Sequence, residues 1–268
     1  MRSRLRIVLV VGLLLGFVTA CGSTSDQLTA ETLFPRVSKA QQKAGSSHVK
    51  MTLTAPTGQK FTSRGQLKLG ERPQDTAMAM TVTGETGGLG TVELRLVGRA
   101  FYISLGALTQ NKFAKIDLTD KSNPIARQYG DILENVDPAR QVRQYEDAIT
   151  KFDASGEAVK IDGVEAQPYR ITVDPSKAEQ LKQLDQASLP DSITFTLYVG
   201  PDDLPRRMVS QMPGQNGTTR LQLDYTKWGE KVTIAAPSKA RITEDSLLDR
   251  LGQPGPTATA PAGTPTAP

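Results

Sequence analysis

Residues 47–56 read SHVKMTLTAP, and this stretch decides the fold class. Val49, Met51, Leu53 and Ala55 fall on one side of an extended chain, and His48, Lys50, Thr52 and Thr54 on the other, which is the period of a half-buried strand. Four segments of the same kind follow: QKFTSRGQLKL, TAMAMTV, VELRLVG and AFYISL, separated by turn signals. They predict five consecutive antiparallel strands.

Working back toward the N-terminus, Leu33, Val37, Ala40 and Ala44 share a helical stripe that stops at Gly45. A first amphipathic helix is expected near 32–44, with Pro35 in its first turn, where a missing N–H costs nothing. Toward the C-terminus the period becomes helical. Asn123-Pro124 opens a stripe of Ile125, Tyr129, Ile132, Leu133 and Val136; Asp137-Pro138 opens another of Val142, Tyr145, Ala148, Ile149 and Phe152. Asp174-Pro175 repeats the device ahead of Ala178, Leu181 and Leu184; each Asx can cap and each proline can take the first helical position. Strands return as EAVKIDG, QPYRITV, SITFTLYVG, LPRRMVSQM, TTRLQLDYT and KVTIAAP, and Leu247, Leu248 and Leu251 suggest a short last helix.

Runs of strands with helices clustered between them indicate an α+β fold with an antiparallel sheet. Ten or so strands in one sheet curl, and apolar helices need its inner face for burial. The expected architecture is a large curved half-barrel sheet wrapped over several α-helices, with room for an apolar cavity between the layers.

The two ends read differently. Arg2, Arg4 and Arg6 precede an apolar run from Ile7 to Val18, then small Thr19 and Ala20, the layout of a secretory signal. An uncleaved anchor is the competing reading, but the run falls short of the roughly 20 apolar residues a spanning helix needs. Val18-Thr19-Ala20-Cys21 resembles a bacterial lipobox, in which the cysteine is acylated, with chains such as palmitate, and becomes the mature N-terminus. From Gln253 onward only Gln, Pro, Gly, Thr and Ala occur, a composition with nothing to bury. The expected organisation is a signal peptide over 1–20, a lipidated tether over 21–31, one domain over 32–252 and a disordered Pro/Thr/Ala-rich tail over 253–268.

Composition removes several function classes. One cysteine and one histidine leave no disulfide framework and no structural zinc site, and no G-x-S-x-G elbow is present, so no metal or cofactor is expected. Removing Arg2, Arg4 and Arg6 takes Lys+Arg from 32 to 29 against 28 acids, so the mature chain is near neutral and offers no nucleic-acid footprint. Ser47-His48-Val49-Lys50 matches S-x-x-K, but residues three apart on a strand face opposite sides, and no S-D-N or K-T-G follows. GETGGLG, residues 84–90, lacks the Lys-Ser/Thr ending and the helix of a phosphate loop, and reads as a hairpin connection. His48 reads as polar surface. No enzyme is expected.

The stretch QLDYTKWGEKVTIAAP at 222–237 holds the sole tryptophan, Trp228, at a break between two strands. With the lipobox, VELRLVGRAFYISL, the helical middle and IDGVEAQPYRITV, it resembles the LppX/LprA/LprF/LprG family of actinobacterial lipoproteins over roughly Leu33 to Pro237. That resemblance implies a LolA/LolB-like half-barrel over helices, a lipid-binding cavity, no catalytic residue, and a lipidated cysteine matching Cys21. The long Pro/Thr/Ala tail departs from it.

The function expected is a lipid-anchored protein on the outer face of the cytoplasmic membrane that binds and transfers lipid or glycolipid as a monomer, in company with an envelope transporter. A sensor or protein-interaction module on the same fold is the alternative. Candidate cavity residues are Met78, Met80, Val82, Leu94, Leu96, Phe101 and Ile103, on the apolar side of the third to fifth strands; methionine suits a pocket for flexible chains.

Overall fold

The computed structural model describes residues 27–84, 91–123, 126, 147–154, 156–177, 190–214 and 217–243. Cys21, the signal segment, the tail, most of the central helical stretch and the helix expected after Pro175 lie outside them.

Among the described residues one α-helix is seen from end to end, α1 at Ala30–Ala44. It begins two residues earlier than the apolar stripe suggests because Thr29 and Thr32 close its first turn: the Thr29 amide donates to Thr32 Oγ1 at 2.8 Å and Leu33 N–H donates to the Thr29 carbonyl at 2.9 Å. Pro35 therefore falls in the second turn rather than the first, and one intrahelical hydrogen bond is missing there. Gly45, at φ 72°, ends the helix with its amide on the Gln41 carbonyl.

The thirteen strands are β1 (Ser46–Thr54), β2 (Lys60–Lys68), β3 (Ala77–Gly84), β4 (Val92–Val97), β5 (Ala100–Leu105), β6 (Phe113–Asp117), β7 (Ile149–Asp153), β8 (Val159–Ile161), β9 (Val164–Val173), β10 (Ile193–Val199), β11 (Pro205–Gly214), β12 (Gly217–Thr226) and β13 (Ile242–Thr243). Their order is β13-β6-β5-β4-β3-β2-β1-β12-β11-β10-β9-β7, with β8 paired to β9. Every pairing is antiparallel except β13 on β6, and the order does not close on itself, so the sheet is open.

The five strands predicted from Ser47 to Leu105 all form, as do those over 157–226. Two expectations fail. Ile149 and Phe152 are not on a helix: the helical turn ends at Ala148, and Ile149–Asp153 pairs with β9, whose ten residues offer an edge that β-branched Ile149 and Thr150 can join. KVTIAAP is not a strand, because residues 231–238 cross the sheet instead of running along it. Short β6 and β13 carry too few alternating positions to read from sequence.

Pairing and alternation define two faces. On the inner face, α1 lies over β9 and β10: Leu28, Leu33 and Val37 form a core with Ala148, Tyr169, Ile171, Val173, Leu197 and Val199. Two polar clamps fix the helix, the Tyr169 hydroxyl near the Leu28 amide at 3.3 Å and a two-pronged ion pair from Arg36 to Asp203 at 2.9 and 3.0 Å. A second core gathers Ala114, Ile116, Leu118 and Ala126, with Leu96, Phe101 and Ile103 packed against it. Asn123 accepts the Ala126 amide at 3.2 Å, the capping role expected of Asn123-Pro124.

Residues 227–241 form a strap that leaves the end of β12 and crosses the outer face. Between Glu230, beside His48 on β1, and Ala235, on Arg95 of β4, the strap crosses three strand spacings, about 14 Å at ~4.8 Å each, in five residue steps, so it runs nearly extended across the strands. Its start is fixed at Trp228, whose indole N–H donates to the Pro205 carbonyl at 2.9 Å and whose ring stacks on Tyr225 at 5.9 Å. Lys227 and Gly229 take positive φ, 51° and 77°, and the Gly229 amide donates to the Ser46 carbonyl at 3.0 Å. Its end is fixed over fully buried Phe113, which lies 5.0 Å from the Arg95 guanidinium and 4.9 Å from that of Arg241. Glu93 pairs with both arginines at 3.4 Å, and Arg95 donates to the Ala235 carbonyl at 3.3 Å.

Candidate functional site

The seven residues read from the sequence as cavity candidates come together on the inner face. Cross-strand registers set Met78, Leu96 and Phe101 side by side, then Met80, Leu94 and Ile103; Val82 faces Val92, which faces Leu105. All seven are half-buried. They divide into two groups. Leu96, Phe101 and Ile103 pack on the second core, whereas Met78, Met80, Val82 and Leu94 belong to neither core among the described residues.

The apolar surface continues across the middle of the sheet. Gly65 lies opposite Met80 and Ser63 opposite Val82; Val49, Met51 and Leu53 carry the face over β1, and Tyr225, Leu223 and Leu221 carry it over β12. Gly65 has a steric reason. A Cβ there would come within 2.4 Å of Met80 Sδ and 2.0 Å of the Ala79 carbonyl oxygen, so the glycine is what lets the Met80 side chain lie across β2.

Three polar groups interrupt this face, none singled out from sequence for that role. Ser47 and Ser63 are buried, and neither hydroxyl has a hydrogen-bond partner among the described residues. An unpaired buried hydroxyl costs about 1–3 kcal/mol, a penalty a ligand oxygen would relieve. The signal for Ser63 was present in QKFTSRGQLKL, where Phe61, Gly65 and Leu67 share its parity. Tyr225 is the third: burial pushes its hydroxyl up to about 12, so it stays neutral.

Ser47 and Lys50, the S-x-x-K pair, lie on opposite faces of β1, Ser47 buried and Lys50 exposed. His48 is less exposed than a surface strand histidine, and its ring comes within 3.9 Å of the Glu230 carboxylate at the start of the strap. Gly84 ends β3, and the rest of GETGGLG lies outside the described residues. Among the described residues no group of His, Cys, Asp and Glu could hold a metal ion, and no helix is long and apolar enough to cross a membrane.

With the sheet order and the inner face established, solved structures give a match. The crystal structure of the lipoprotein LppX from Mycobacterium tuberculosis superposes with a TM-score of 0.50 at 16% identity, covering 76% of this chain and 98% of that one. The chain has the LppX fold. LprF from Mycobacterium bovis aligns at a TM-score of 0.49 and 15% identity over 78% of this chain and 96% of that one. MucB of Pseudomonas aeruginosa, in its complex with MucA, aligns at a TM-score of 0.39 over 79% of this chain and 59% of that one, too distant to carry an argument. No protein-family model and no curated protein matches the chain. The LppX fold is the one the resemblance of YTKWGEKV and its companion segments implies, and Trp228 has a role in it, tying the end of β12 to the start of β11 through Pro205.

Proposed function

We propose that the protein is a membrane-anchored envelope lipoprotein that binds lipid or glycolipid against the inner face of its sheet and transfers it, without catalysis. One observation carries this reading: Met78, Met80, Val82 and Leu94 form an apolar patch on the helix-bearing face, between two packed cores and, among the described residues, part of neither. Each methylene taken from water is worth about 0.8 kcal/mol, so an acyl chain on such a patch gains enough to be held. Unpartnered Ser63, beside Val82, offers a hydrogen bond to an ester or hydroxyl oxygen of the same ligand.

In this reading several helices cover the face and leave a cavity beneath them, Cys21 carries the acyl chains that hold the protein on the outer face of the cytoplasmic membrane, and an envelope transporter loads or receives the cargo. Two or three chains give stable anchoring where one is marginal. Native mass spectrometry of the purified protein tests the carrier role. Co-purifying lipid, or uptake of fatty-acid and phospholipid probes, is expected. Ligand-free protein from a lipid-rich host that also ignores the probes would defeat it. Cys21→Ala is expected to leave the fold intact and the protein unprocessed or released; acylation and membrane attachment at the wild-type level would contradict the anchor.

The packing of Leu96, Phe101 and Ile103 against Ala114, Ile116 and Leu118 favours a second reading, a sensor or protein-interaction module on a closed core. The same mass spectrum separates the two.

A further inference from the structure

The outer face carries a recess that the lipid reading does not use. It spans β1 to β4, has a volume of about 370 Å³ and runs across the strands, alongside the strap. Register builds its two walls. His48, Gln66, Ala79 and Arg95 form one, and Arg64, Thr81 and Glu93 form the other; the backbones of Gly65, Met80 and Leu94 pass between them, with Met80 and Leu94 turned to the opposite face. Four strands at ~4.8 Å spacing make it about 14 Å long.

The donors in this trench are not spent. Arg64, Gln66 and Thr81 make no side-chain hydrogen bond or ion pair among the described residues, while their neighbours are engaged. Arg95 is held by Glu93, the Ala235 carbonyl and the Phe113 ring. Glu93, the one carboxylate in the lining, is matched by both Arg95 and Arg241 and has no charge to spare for a cation. What is left over is one forked guanidinium, one amide and one hydroxyl converging on a space the size of a small ligand. A guanidinium with neutral donors beside it suits an oxyanion, which accepts two parallel N–H bonds. The volume lies within the range of small-molecule sites and exceeds what a bare anion fills.

We propose that this trench is a second ligand site, on the face opposite the lipid patch, for a phosphate group carried on a hydroxylated small molecule. Arg64 takes the phosphate oxygens, and Gln66 and Thr81 take the remaining oxygens and hydroxyls. The strap runs along the first of these walls, through Ala235 on Arg95 and Glu230 beside His48. The ligand is either a free phosphorylated polyol or the headgroup of an anionic phospholipid.

Amide shifts of the full chain, titrated with glycerol 3-phosphate, test this. Saturable shifts are expected at residues 64–66, 79–81 and 93–95, with none on glycerol alone. Arg64→Gln should weaken binding about tenfold, and Arg64→Lys, which keeps the charge and loses the fork, should fall between the two. Arg170→Gln should leave the titration unchanged, because that arginine is exposed on β9, four strands beyond the trench. If only phosphatidylglycerol vesicles bind, with the same dependence on Arg64 and no binding to phosphatidylcholine vesicles, the ligand is the headgroup. The proposal is overturned if neither probe binds, or if Arg64→Gln binds as wild type does.

Discussion

The inner face has two halves built from the same alternating pattern, and they differ in what covers them. Over β9 and β10, Ile171, Leu197 and Val173 meet Leu33 and Val37 of α1 and are buried. Over β3 and β4, Met78, Met80, Val82 and Leu94 are only half-buried and, among the described residues, join neither core. The residue types differ accordingly. The first half is built mainly of branched and aromatic side chains that pack in few rotamers, while two of the four residues over β3 and β4 are methionines, which adapt to whatever lies against them. Alternation sets which way a side chain points; whether it is core or contact surface depends on the layer above.

Breaking the closed half should therefore cost stability, and breaking the open half should cost binding. The largest effect is expected for Leu33→Ala. Removing this fully buried side chain from α1 should destabilise the protein by about 3 kcal/mol in denaturant unfolding, with affinity for a fatty-acid probe unchanged in the folded fraction. A closed half that contributed to the lipid site would show a matching loss of affinity.

Tyr225, on β12 between the halves, gives the next effect, and it depends on pH. Its pKa is raised by burial from the ordinary value of 10.0 to about 12, so the stability tied to its neutral form is fully present below pH 10 and is lost as pH rises through 12. In the unfolded chain it ionises near 10 and draws the equilibrium that way. Tyr225→Phe removes this group, so between pH 10 and 12 its stability should fall by about 2–3 kcal/mol less than wild type; lysines and the other tyrosines titrate in both proteins and drop out of the difference. Identical slopes in the two proteins would show that the hydroxyl is hydrated.

Met80→Ala should cost only about 1 kcal/mol, since the half-buried side chain loses less than a core methionine, yet weaken the probe severalfold. A loss of several kcal/mol would mean that the patch is closed core. The smallest effect is expected for Arg36→Ala. Its ion pair with Asp203 is half in solvent, so despite two-pronged geometry it should contribute under about 1 kcal/mol, screened further by salt.

The sequence made the sheet legible and the layers above it much less so. SHVKMTLTAP and its successors show their parity because one side is polar, and every candidate cavity residue falls on the predicted side. Nothing in that pattern separates Leu94 from Leu96, since both are leucines of the same parity on β4; what separates them is β6 and Ala126, reached only through the fold. The strap is hidden in the sequence for a related reason. KVTIAAP alternates as a strand does, but a chain crossing strands alternates just as well, and only the distance between β12 and β6 tells the two apart. Ile149 and Phe152 fit a helical period as well as a strand, and the free edge of β9 decides for the strand. The outer trench was invisible because its walls, Gln66 with Arg95 and Arg64 with Thr81, come from strands whose register no single segment states.

The central claim is that lipid is taken against β3 and β4. A fatty acid bearing a terminal diazirine, photolysed in the protein and mapped by peptide mass, tests this most directly. Adducts are expected within residues 77–83 and 92–97 and should fall in Met80→Ala. Adducts confined to α1, β9 and β10, or to the outer face, or none at all, would contradict it.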